Sequence, residues 1–84
     1  MTKLQAEVIL ALADNGLVKS RAAKALYRSL TGIIYHIQNI HEKTGLDPLD
    51  FWDMQKLVPM AQRTLTFHTV TENMKKVIES AEER

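Results

Sequence analysis

Residues 20–46, SRAAKALYRSLTGIIYHIQNIHEKTGL, decide how this chain folds. Ala22, Ala23, Ala25 and Leu26 give a short helix from about Lys19 to Leu26 a surface of small side chains, which lets a neighbouring helix come close. Tyr27, Arg28 and Ser29 then form a turn, with Ser29 a good N-cap for a longer helix that stops at Thr44-Gly45. On that longer helix Ile33, Ile37 and Ile40 fall on one stripe, while Thr31, Tyr35, Gln38 and Asn39 lie opposite. Two helices joined by a tight turn, the second apolar on one face only, are expected at the centre of the fold.

The flanking sequence extends this pattern. Upstream, a helix is expected from about Thr2 or Lys3 to Asp14, with Thr2 able to cap it, carrying Leu4, Val8, Ala11 and Leu12, and Asn15-Gly16 supplies the left-handed residue that ends it. Downstream, Asp47 reads as an N-cap with Pro48 in the first helical position and Asp50 in the first turn. That fourth helix carries Phe51, Trp52, Met54, Leu57 and Val58 until Pro59 kinks or stops it. Phe51 and Trp52 are expected to pack in the core and between helices, and Met54, Met60 and Met74 to act as filler. Residues 64–70, TLTFHTV, alternate in the period of a strand but have no second strand to pair with, so they are expected to form an extended linker. A last amphipathic helix follows, with Val70, Met74, Val77, Ile78 and Ala81 on one side. The expected fold is therefore all-α, a three- to four-helix domain over 1–58, followed at 59–84 by a linker and a C-terminal amphipathic helix suited to dimerisation.

Composition narrows the functional classes. Eighty-four residues make one small domain, and the chain has no cysteine, so neither a disulfide scaffold nor a thiolate zinc site can be built. A reducing, cytoplasmic setting is expected. The N-terminal apolar stretch is interrupted by Glu7 and Asp14, unlike a signal peptide, and no run approaches the roughly 18 apolar residues of a membrane span. His36 and His41 are five apart and do not share a helical face as a metal pair would; no paired carboxylates, nucleophile elbow or phosphate-binding glycine loop is present. An enzyme, a cofactor and a metal site are not expected.

Charge is unevenly distributed within a net +1. Residues 1–46 hold six Lys and Arg against three acids, whereas residues 47–84 hold five against seven. Lys19, Arg21, Lys24 and Arg28 form the basic concentration, and no acid occurs between Gly16 and His41. These charges read either as a small basic patch of the kind that meets nucleic acid or as the ordinary solvated face of a helix, and charge alone favours the solvated face.

The stretch NGLVKSRAAKALYRSLTGIIYHIQNIHEKTGLDPLDFWDMQKL resembles the C-terminal helix-turn-helix domain of PucR-type regulators, the purine-catabolism and carbohydrate-diacid activators, itself similar to the Fis-type helix-turn-helix. Asn15-Gly16, the SRAAKALY helix, the core of Tyr35, Ile37 and Ile40, and TGLDPLDFWD carry the likeness, over about the first 58 residues. The loop at Leu17-Val18 is one residue longer than the family pattern, and Leu30 and Ile34 stand where the family carries arginines. The resemblance implies a transcriptional regulator that binds double-stranded DNA, either as a stand-alone small protein or as the DNA-binding part of a larger one.

In such a protein the first helix of the pair crosses the backbone and the second enters the major groove. Lys19, Arg21, Lys24, Arg28 and Ser29 are then the candidate phosphate and turn contacts. Thr31, Ile34, Tyr35 and Gln38 are the candidates for the bases, with Gln suited to adenine and Thr or Ile to a thymine methyl. A homodimer, built by residues 64–84, would supply the second half-site; the alternative for these residues is that the last helix folds back onto its own chain and completes a monomeric core. The alternative is a protein-interaction or oligomerisation module whose degenerate helix-turn-helix no longer binds DNA, its surface formed by Leu30, Ile34 and Tyr35.

Overall fold

The computed structural model describes the backbone of residues 1–82 and the side-chain surroundings of residues 1–75. It is all-α: α1 (Lys3–Asp14), α2 (Lys19–Ala25), α3 (Leu30–Thr44) and α4 (Phe51–Glu82), with no strand among the described residues.

α1 starts as its sequence dictates. The Gln5 N–H donates to Thr2 Oγ1 at 3.1 Å, and the Thr2 N–H donates back to Gln5 Oε1 at 3.0 Å, a reciprocal cap that satisfies two otherwise orphaned donors. Gln5, Ala6, Val8, Ile9, Ala11 and Leu12 are buried. At 100° per residue these six positions span an arc of about 220°, well beyond the stripe one neighbour can cover. α1 accordingly touches all three other helices. It ends at Asn15, followed by Gly16 at φ 64°, and the Leu17 N–H closes the turn on the Leu12 carbonyl at 2.8 Å.

α3 lays its isoleucine stripe into this core. Ile33, Ile37 and Ile40 are buried with Leu12, Ala22 and Ala23, and Leu26 packs against them half-buried. Gly45, at φ 71°, ends the helix, and Thr44 Oγ1 donates to the Ile40 carbonyl at 2.7 Å.

α4 departs from expectation in four respects. First, it begins at Phe51. Asp47 does not cap it, because its Oδ1 accepts the Leu49 N–H at 2.9 Å and so makes a local turn. Asp50 caps the helix instead, its Oδ2 accepting the Asp53 N–H at 2.9 Å. Secondly, Phe51 and Trp52 are 59% and 75% exposed, packed edge to face on each other. The first turn of α4 is held by the aspartate hydrogen bonds, and core packing begins at Met54.

Thirdly, Pro59 does not stop the helix. Met54, Leu57 and Ala61 are buried and Val58, Met60 and Leu65 pack against the core, which offsets the hydrogen bond lost at the proline. The packed body thus runs past residue 58. Fourthly, residues 64–70 are helical, not extended. Thr64, Thr69 and Thr71 each donate a hydroxyl to the carbonyl four residues earlier, so their side chains are satisfied within a helix. Of the methionines, Met54 is buried, Met60 half-buried and Met74 exposed. Val77, Ile78 and Ala81 lie outside the described side chains.

Two substitutions test this packing. Ile33→Ala should lower unfolding stability by about 2–5 kcal/mol, whereas Phe51→Ala should stay within about 0.5 kcal/mol of the parent. Chemical denaturation of the two variants gives both values, and a Phe51→Ala loss as large as that of Ile33→Ala would contradict the exposed first turn.

Candidate nucleic-acid interface

The turn between α2 and α3 depends on one unusual backbone conformation. Leu26 caps α2, Tyr27 follows at φ 55°, and two hydrogen bonds close the motif: Tyr27 N–H to the Lys24 carbonyl at 3.2 Å and Arg28 N–H to the Ala23 carbonyl at 2.9 Å. This is the Schellman arrangement that glycine normally serves, and a residue with a Cβ in the left-handed region costs about 1–2 kcal/mol. Tyr27 is 98% exposed, so its ring repays none of that cost through burial in its own chain. The sequence marked a turn here but gave no sign that tyrosine would occupy its left-handed position.

Ser29 starts α3. Its Oγ accepts the Gly32 N–H at 3.1 Å and keeps its own proton free to donate outward. A Cβ at position 32 would come within 3.2 Å of that oxygen, so Gly32 leaves the cap room.

Around this turn the structure places all nine candidate contact residues on the α2–turn–α3 unit. Lys19, Arg21 and Lys24 on α2, and Arg28 and Ser29 in the turn, are exposed. None of the four cations takes part in an ion pair among the described residues. On α3, Thr31, Tyr35 and Gln38 are exposed and Ile34 is half-buried. At 100° per residue these four lie within about 100° of one another, opposite the buried Ile33, Ile37 and Ile40. Leu30 is exposed at the start of the same helix, and the ring of half-buried His36 lies edge to face on Tyr35.

The chemistry this surface offers is recognition. Four fixed positive charges and a polar, weakly apolar helix face can meet phosphates and base edges. The histidines do not converge: His41 Nδ1 lies 3.2 Å from the Leu46 carbonyl, His36 sits beside Tyr35, and His68 is on α4 against Phe67. No group of three or more potential metal ligands occurs among the described residues. No helix among them is long and apolar enough to cross a membrane.

In comparisons with known proteins, no family model, no curated protein and no solved structure matches the chain.

Proposed function

We propose that this chain is a DNA-binding transcriptional regulator, or the DNA-binding part of one, acting in the cytoplasm as a homodimer and without catalytic activity of its own. The observation that carries the reading is the four exposed cations of α2 and the turn, none in an ion pair among the described residues, next to the uncharged outer face of α3. Lys19, Arg21, Lys24 and Arg28 neutralise phosphates as α2 crosses the backbone; Thr31, Ile34, Tyr35 and Gln38 meet base edges in the major groove. Gln38 suits adenine and Ile34 the thymine methyl, which favours A·T-containing sites. A dimer fits because one helix-turn-helix reads few base pairs, and two-fold symmetry sets two of them a helical turn apart.

A second reading is supported by the exposure of Leu30 and Tyr35, 45% and 61%. With arginines missing from α3, that surface would suit a protein partner better than DNA.

A salt titration separates the two. Binding to random duplex DNA, followed by fluorescence anisotropy, should weaken with salt at a log–log slope of about −3.6 per subunit, the value for four phosphate contacts. Arg21→Glu combined with Arg28→Glu should abolish binding at moderate salt and, where residual binding is measurable, reduce the slope by about 1.8. Equal binding by parent and double variant would place the interface elsewhere; no binding by the parent at low salt would favour the protein-partner reading.

A further inference from the structure

Beyond Leu65, α4 carries apolar side chains that its own chain leaves uncovered. Phe67, Val70 and Met74 are 67%, 50% and 61% exposed, and their spacing of three then four continues in the sequence to Val77 and Ala81. This is the a/d alternation of a coiled-coil seam, with Phe67, Met74 and Ala81 at a and Val70 and Val77 at d. In that register every charged residue from Glu72 to Glu82 falls at b, c or f. The e and g positions from 66 to 80 are Thr66, Thr71, Asn73, Ile78 and Ser80, none of them charged.

The charge pattern decides what such a face fits. In a pair of identical helices the e and g positions of one copy flank those of the other, so like charges there would repel, and none stands at either position from 66 to 80. A partner selected by opposite charge would find nothing beside the seam to recognise. An uncharged apolar seam is instead complementary to itself.

The backbone supplies an independent observation. Residues 64–71, TLTFHTVT, consist largely of β-branched and aromatic residues, each about 0.3–0.7 kcal/mol poorer than alanine in a helix, yet α4 runs through them unbroken. Within the described residues, their support past Leu65 includes one ion pair, Lys3 Nζ to Glu72 Oε1 at 3.6 Å, with both side chains more than half exposed. Such a pair adds little, and most helices in proteins owe their stability to packing of an apolar face.

We propose that a second copy of this chain docks along the Phe67–Val70–Met74 seam, and that this pairing is what holds residues 66–75 helical. The assignment names the surface behind the homodimer in the functional reading above. It is measured on protein alone, so a failure of DNA binding leaves it untouched.

The experiment is sedimentation equilibrium and far-UV circular dichroism of the full chain over about 1–200 µM, because a short seam gives concentration-dependent association. Val70→Asp with Met74→Asp is measured beside it, and Trp52→Asp serves as a control at an exposed aromatic away from the seam. The parent should dimerise with helicity rising alongside dimer fraction. The seam variant should raise the dissociation constant about ten-fold or more, keep the thermal transition of the monomeric core, and lose the concentration-dependent helicity; the control should behave as the parent. A parent monomeric throughout, or a seam variant that dimerises like the parent, overturns the docking surface. Dimerisation with unchanging helicity overturns the coupled folding.

Discussion

Apolar side chains on α1 occupy too wide an arc for one neighbour to cover, and the architecture follows from covering it. Ala6, Val8, Ile9 and Leu12 are fully buried, and α1 packs against α2, α3 and α4. α2 can take its place because Ala22 and Ala23 present only methyl groups; α3 contributes three isoleucines and α4 contributes Met54, Leu57 and Ala61. Since α3 spends one face on this core, its other face, from Thr31 to Gln38, is fixed outward. Burial of α1 is thus what turns this face of α3 to the outside.

Features set by local chemistry were legible in the sequence. Thr2 and Ser29 cap their helices, Gly45 ends α3 in a left-handed conformation, and the isoleucine stripe faces inward, because each depends on residues within a turn or two. The cap of α4 was misplaced: Asp47, which precedes Pro48 as a cap should, closes a tight turn on Leu49, and Asp50, expected within the first turn, caps the helix. Phe51 and Trp52 have every reason to be buried except a neighbour to bury them, which only the arrangement of the other helices decides. The strand-like alternation of residues 64–70 was a real signal overridden by context, since the preceding turns of α4 are anchored in the core through Ala61 and Leu65. At the candidate site, the charge positions and the outer face of α3 were legible. Tyr27 was not, because a tyrosine in the left-handed place of a Schellman turn runs against its own conformational preference.

On the proposed reading, the distribution of charge would separate phosphate attraction from base contact, two tasks that one helix can also combine. Here the cations stand on α2 and in the turn, and α3 offers hydroxyl, amide, aromatic and aliphatic groups. Phosphate attraction is sequence-independent and falls with salt, whereas contacts at base edges are short-ranged and specific. On the proposed reading, α2 and the turn would therefore set how tightly the protein holds any duplex, and α3 which duplex it prefers. Tyr27, between Lys24 and Arg28, adds an exposed ring to this basic segment.

The most direct test is a nuclear magnetic resonance titration of the isotope-labelled chain with duplex DNA at low salt. The account predicts amide shifts that move together at Lys19, Arg21, Tyr27, Arg28, Thr31, Tyr35 and Gln38, while those of Asp47, Phe51 and Trp52 stay in place. Shifts gathered around Phe51 and Trp52, or none anywhere as DNA reaches excess, would contradict it.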